Sequence, residues 1–154
     1  MMEDFKRILV VSRMTKHCRE AVHYGISLAR KYNAELSILH VIHNPFGLEG
    51  WNLPIVSLEQ DFKKLFDEAK SDLDRIIREE KAKGFPIKEL IKNGDPTEEI
   101  IKTVKEEKID LLVLLAHEEW RLEHFLFGRS NEELVRRLPC TVMFVKNEPK
   151  PVRW

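Results

Sequence analysis

The chain has 154 residues, 43% of them hydrophobic, which is near the common size of one domain and enough for one sizeable core. Its 26 basic and 26 acidic residues cancel, so the charge balance gives no reason to expect nucleic acid or an anionic membrane as a partner. Two cysteines, Cys18 and Cys140, form neither a CxxC pair nor a disulfide framework and are expected to be buried or half-buried thiols. No apolar run approaches the roughly 20 residues of a transmembrane helix, and the start of the chain, MMEDFKRILVV, lacks the apolar core of a secretion signal. A cytoplasmic location is expected.

Phe5 to Ser12 (FKRILVVS) holds a short β-branched apolar run of the kind buried on both faces of a parallel sheet, the first strand. Thr15 is placed to cap a helix whose Ala21, Val22, Gly25, Ile26, Leu28 and Ala29 recur at helical spacing, and Asn33 suits a left-handed stop. Glu35 to Ile42 (ELSILHVI) is a second strand, ended at His43-Asn44-Pro45, where proline cannot continue a ladder. The segment Asn44 to Val56 is irregular yet carries Phe46, Leu48, Trp51 and Leu53, which serve either as a lid or as a cover for the adjacent helix. Ser57 and Gln60 make a capping box for a long helix with Leu58, Phe62, Leu65, Phe66, Ala69, Leu73, Ile76 and Ile77 on one face, closed by Gly84-Phe85-Pro86.

Ile87 to Lys92 is a short third strand, turned by Asn93-Gly94. Asp95, Pro96 and Glu98 then supply an N-cap, a proline at the first helical position and an acid at the third, with Ile100, Ile101 and Val104 inward. Leu111 to Leu115 is the fourth strand. Ser130 with Glu133 caps a last helix that turns Leu134, Val135 and Leu138 inward, and Thr141 to Val145 is the fifth strand. Residues 1–147 are expected to form the domain and residues 148–154 a flexible tail. Strands alternating with helices predict an α/β fold: a doubly wound five-stranded parallel sheet with helices on both faces.

This succession resembles the universal stress protein family. The resemblance is carried by Ile8-Leu9-Val10, Leu39-His40-Val41-Ile42, Gly94-Asp95-Pro96, Asp110-Leu111-Leu112-Val113, Gly128 and Leu138-Pro139-Cys140-Thr141-Val142. It implies sheet order 3-2-1-4-5, the adenine nucleotide alpha hydrolase-like arrangement, and a regulatory or protective stress-response module that works by binding without turnover. It also implies a homodimer made through the fifth strand, Thr141 to Val145, and leaves room for an unknown protein partner. Independently of any family, an edge strand as apolar as Val142-Met143-Phe144-Val145 should be covered.

In such a fold the ligand site lies outside the carboxyl ends of strands one and four, here Ser12-Arg13 and Ala116-His117-Glu118. The resemblance implies, for ATP-binding members, an acidic residue after strand one, then Gly-x-x-Gly, nine residues, and Gly-Ser or Gly-Thr. Laid on this sequence, the acidic position is Arg13, the first two glycines are Leu115 and Glu118, and Gly128 is followed by Arg129. Glycine lets backbone approach phosphate and adopt positive φ, so Leu115 and Glu118 narrow the loop. Glu118 and Glu119 also place negative charge beside a polyphosphate; one such pair at about 4 Å costs about 4 kcal/mol at an effective dielectric of about 20. ATP binding in the family manner is thereby disfavoured.

Two arrangements suit the altered loop. In one, Arg13 pairs with Glu118 or Glu119 and fills the adenine side of the crevice, with no cofactor. In the other, Arg13 and Arg129 converge on a smaller anion beside the last helix. A nucleotide-responsive variant, with ATP or AMP as the cofactor, places Val41 near adenine and the Gly128 to Ser130 backbone around phosphate; those roles are carried over from the family. The candidate ligand-binding residues are therefore Ser12, Arg13, Val41, His117, Gly128, Arg129 and Ser130, with His117 matching a family histidine that shapes the loop. His40 and His43 point to opposite faces of their strand, and His43, His117 and Glu118 lack chelating spacing, so no metal is expected. The chain has no Gly-x-Ser-x-Gly elbow, Walker lysine loop or HExxH, so an enzyme would have to be built from Arg13, His117 and Glu118 as clamp, base and orienting acid. No catalytic residue is expected.

Overall fold

Five strands, β1 (Arg7–Ser12), β2 (Glu35–Ile42), β3 (Ile87–Asn93), β4 (Leu111–Ala116) and β5 (Thr141–Lys146), form one parallel sheet in the order β3-β2-β1-β4-β5. The computed structural model describes residues 4–12, 18–42, 64, 67, 70, 71, 74–116 and 131–146. Its helices are α1 (Cys18–Tyr32), α2 (residues 74–82), α3 (Pro96–Glu106) and α4 (Asn131–Arg137); residues 64, 67, 70 and 71 are also helical.

Alternation along each strand sorts the core into two halves. Ile8 and Val10 of β1 join Leu36, Ile38, Ile87, Leu111 and Val113 on the face covered by α1 and by Ile77 of α2. Leu9 and Val11 join Leu39, Val41, Leu112 and Leu114 on the face covered by Ile100, Ile101 and Val104 of α3 and Leu134 of α4. Burial on both faces explains why the inner strands read as nearly continuous apolar runs, the mark of a parallel sheet.

Strand ends differ from the sequence expectation by a residue or two: β1 begins at Arg7, and β3, β4 and β5 each run one residue further. Phe5 instead meets Tyr32 edge-on, with ring centroids 5.4 Å apart. Val135 corrects the expected inward stripe of the last helix. It is 41% exposed, whereas Leu134 is buried and Leu138, four residues on, half-buried; the position after Leu134 is rotated about 100° round the helix and here falls on its outer side. The Thr15 cap, the segment from Asn44 to Val56, the capping box at Ser57 and Gln60, Ser130 and the tail at 148–154 lie outside the described residues.

Local chemistry sets the joints. Asn33 ends α1 with φ 53°, and Gly94 takes φ 143° before Asp95, whose carboxylate accepts from Glu98 N at 3.0 Å to cap α3. Asp110, just ahead of β4, accepts from Lys6 N at 2.8 Å and Arg7 N at 3.1 Å, tying the start of β1 to that of β4. Gly25 marks the closest approach of α1 to the sheet, because a Cβ there would overlap Val10 Cγ2. Gly25→Ala is expected to cost about 1–3 kcal/mol by overpacking, measured by urea denaturation. The same change should cost less in a Val10→Ala background, since the overlapping methyl is then gone.

Candidate functional site

The strand order reverses between β1 and β4, and the two strands part company there. Their register runs only from Ile8↔Leu111 to Val10↔Val113, while β1 stays paired with β2 as far as Ser12↔His40 and β4 with β5 as far as Ala116↔Lys146. The carboxyl ends of the two central strands therefore extend past their shared ladder at the switch point, the usual ligand position in an open α/β sheet. A separate groove of about 840 Å³, lined in part by Arg7, Leu36, Phe85, Ile87 and Lys108, lies at the amino ends of the strands, the opposite edge of the sheet.

Two of the sequence-predicted binding residues fall within the described part of the chain. Ser12 ends β1 and is 0% exposed; it lies on the α1/α2 face beyond Val10. Val41, 4% exposed, follows the Ser12 register partner His40 and belongs to the α3/α4 face. The two residues thus mark neighbouring strand ends but look to opposite sides of the sheet, so a ligand touching both would straddle the sheet edge. Arg13, His117, Gly128, Arg129 and Ser130 lie outside the described residues, as do Glu118 and Glu119.

Sequence reasoning weighed His40 only as a metal ligand and missed its burial. The signal was its parity: His40 is two residues beyond Ile38 and four beyond Leu36, on the same covered face. Burial pushes its pKa below the ordinary value, Glu89 and Asp74 pull it back up, and Lys70 lowers it. Among the described residues no group of His, Cys, Asp or Glu is placed to hold a metal ion, and no helix is long and apolar enough to cross a membrane. Cys140 is half-buried; desolvation raises its thiol pKa, a backbone hydrogen bond with Leu112 lowers it and Asp110 raises it.

A five-stranded parallel sheet in this order, with helices on both faces and its strand order reversing between β1 and β4, defines a doubly wound α/β protein. The chain belongs to the universal stress protein family, whose family model matches residues 4–146. It is 26% identical to a universal stress protein of Methanocaldococcus jannaschii over 94% of this chain and 96% of the relative. The solved structure of that relative superposes with a TM-score of 0.69 at 26% identity, over 96% of this chain and 100% of the other. Two further solved structures share the fold at lower identity. One, a family protein from Arabidopsis thaliana with AMP bound, has a TM-score of 0.60 and 18% identity over 94% of this chain and 93% of its own. The other, a universal stress protein in complex with cAMP, has a TM-score of 0.57 and 20% identity over 93% of this chain and 98% of its own.

Proposed function

We propose that this chain is a regulatory or protective stress-response module that acts by binding, and that its crevice takes a compact anion or an adenosine monophosphate in preference to ATP. The parting of β1 and β4 beyond Val10 and Val113 is the observation that carries the site. AMP and cAMP in the two solved relatives support adenine nucleotides as the ligand class. The preference against ATP rests on residue types: Leu115 and Glu118 replace glycines, and Glu118 and Glu119 repel a polyphosphate. Ser12 and Val41 frame the opening, with Arg13, His117, Gly128, Arg129 and Ser130 supplying the loop side of the site.

No turnover is proposed, because the sequence holds none of the common nucleophile, phosphate-loop or metalloprotease signatures. A homodimer through β5 suits the exposed edge, where Phe144 is 41% exposed and Val135 of α4 is 41% exposed. We assign the domain to residues 1–147 and the protein to the cytoplasm.

Titration calorimetry with ATP, AMP and inorganic phosphate tests the ligand. Phosphate or AMP is expected to bind more tightly than ATP, and Arg13→Ala is expected to weaken whichever of them binds. Submicromolar ATP binding by the unaltered chain would sink the preference, and silence with all three would leave the filled crevice, Arg13 paired with Glu118 or Glu119, as the correct account.

A further inference from the structure

His40 is 3% exposed, and among the described residues neither ring nitrogen has a hydrogen-bond partner. A neutral imidazole offers one donor and one acceptor, and each buried polar group left unmade costs about 1–3 kcal/mol. The strand holds the ring in this position. His40 lies in register between Ser12 of β1 and Ile91 of β3, on the α1/α2 face that also receives Glu89. Its Nε2 stands 3.9 Å from Glu89 Oε2. That gap is too long for a hydrogen bond, yet short enough for strong attraction once the ring is charged.

The Glu89 carboxylate is shared. Its other oxygen, Oε1, lies 3.5 Å from Lys81 Nζ at the end of α2, so one carboxylate on β3 stands between a buried imidazole and an exposed ammonium. Asp74 and Lys70 of the preceding helical turns also act on the ring, with opposite signs, and hold each other at 2.8 Å. From β1 comes the Ser12 hydroxyl, and α1 turns the uncharged Ala21, Val22, Ile26 and Ala29 to this face. A cleft of about 400 Å³ lined by Asp67, Lys70, Ser71, Asp74 and Arg78 opens onto Glu89, the carboxylate that faces the ring.

We propose that His40 and Glu89 form a proton-operated latch between β2 and β3. On acidification the imidazole takes a proton from solvent, and the carboxylate leaves Lys81 and closes on Nε2 as a charge-assisted hydrogen bond. The latch grips the strand end that carries Val41, one residue from the crevice, and its operation does not depend on which ligand the crevice takes. The sign of the linked stability follows from burial. The folded-state pKa of His40 lies below its ordinary 6.5, so the unfolded chain takes the proton first as pH falls. Folding stability therefore declines from about pH 6.5 downward and levels off below the lowered titration point.

Imidazole 15N spectra of the full chain, recorded from neutral to acid pH, read the latch directly. Glu89→Gln is expected to move the His40 titration to lower pH, and Lys81→Met, which removes the competing cation, to higher pH. At acid pH a protected Nε2–H resonance is expected in the unaltered chain and in Lys81→Met, and is expected to vanish in Glu89→Gln. A His40 titration that stays in place in either folded variant, or an Nε2–H resonance that survives Glu89→Gln, overturns the proposal. Should Glu89→Gln fail to fold, Lys81→Met carries the test, since an unmoved titration there is enough to reject a shared carboxylate. Nucleotide affinity plays no part in these measurements, so a negative result here is distinct from failure of the binding reading.

Discussion

Leu112→Ala is expected to lower folding stability by about 2–5 kcal/mol. Leu112 is 0% exposed on β4, in register with Leu9 on one side and Val142 on the other. It belongs to the same buried cluster as Ile100, Ile101 and Val104 of α3 and Leu134 of α4. A cavity at this point is flanked by two paired strands within a fully buried cluster, so little of it can collapse, and the cost should fall in the upper half of the range. Against a whole-domain stability of about 5–15 kcal/mol that is a large fraction. Urea denaturation should show a lowered midpoint with an unchanged slope, since the surface exposed on unfolding barely differs. Val135→Ala is the matched control. An exposed apolar residue on α4 should shift stability by about 0.5 kcal/mol or less.

The frame of the molecule was legible because its signals are local. The apolar runs at Ile8-Leu9-Val10 and Leu111-Leu112-Val113 read as buried strands, and Asn33, Gly94, Asp95 and Pro96 read as stops and caps; each does that work in the fold. Misreadings arose where the decisive partner lies far along the chain. Val135 looked inward in a seven-residue helix too short for its period to be judged, and its exposure depends on how that helix is turned against the core. Lys108, at φ 52°, takes a left-handed turn that no glycine or asparagine announces; the following Ile109 N donates to Val104 O at 3.0 Å and closes the end of α3. His40 acquires its character from β1 and β3 on either side and from α2 above, none of which is visible in ELSILHVI. The candidate site divides in the same way. The sheet topology places Ser12 and Val41 at one edge, the first as strand order implied and the second as the family resemblance implied, but their opposite facing follows from parity along paired strands.

Replacing Leu115 and Glu118 with glycine should raise ATP affinity by about ten- to a thousandfold. Two separable effects contribute to that range. Glu118 carries a full negative charge, and one like-charge pair at about 4 Å costs about 4 kcal/mol at an effective dielectric of about 20, a factor approaching a thousand before solvent screening reduces it. A Cβ at either position also bars the backbone from the positive φ values and close approach by which a glycine loop meets phosphate. Glu118→Gln removes the charge and keeps the Cβ, so it should recover the salt-sensitive part of the gain and no more. Adding Leu115→Gly and completing Glu118→Gly should then recover a part that persists at high salt. Calorimetry at low and high ionic strength distinguishes the two. An affinity for ATP that is the same in the double variant as in the unaltered chain would mean that these side chains do not control the crevice, and that the discrimination must come from Arg13, whose guanidinium stands where an acidic residue is expected in ATP-binding relatives.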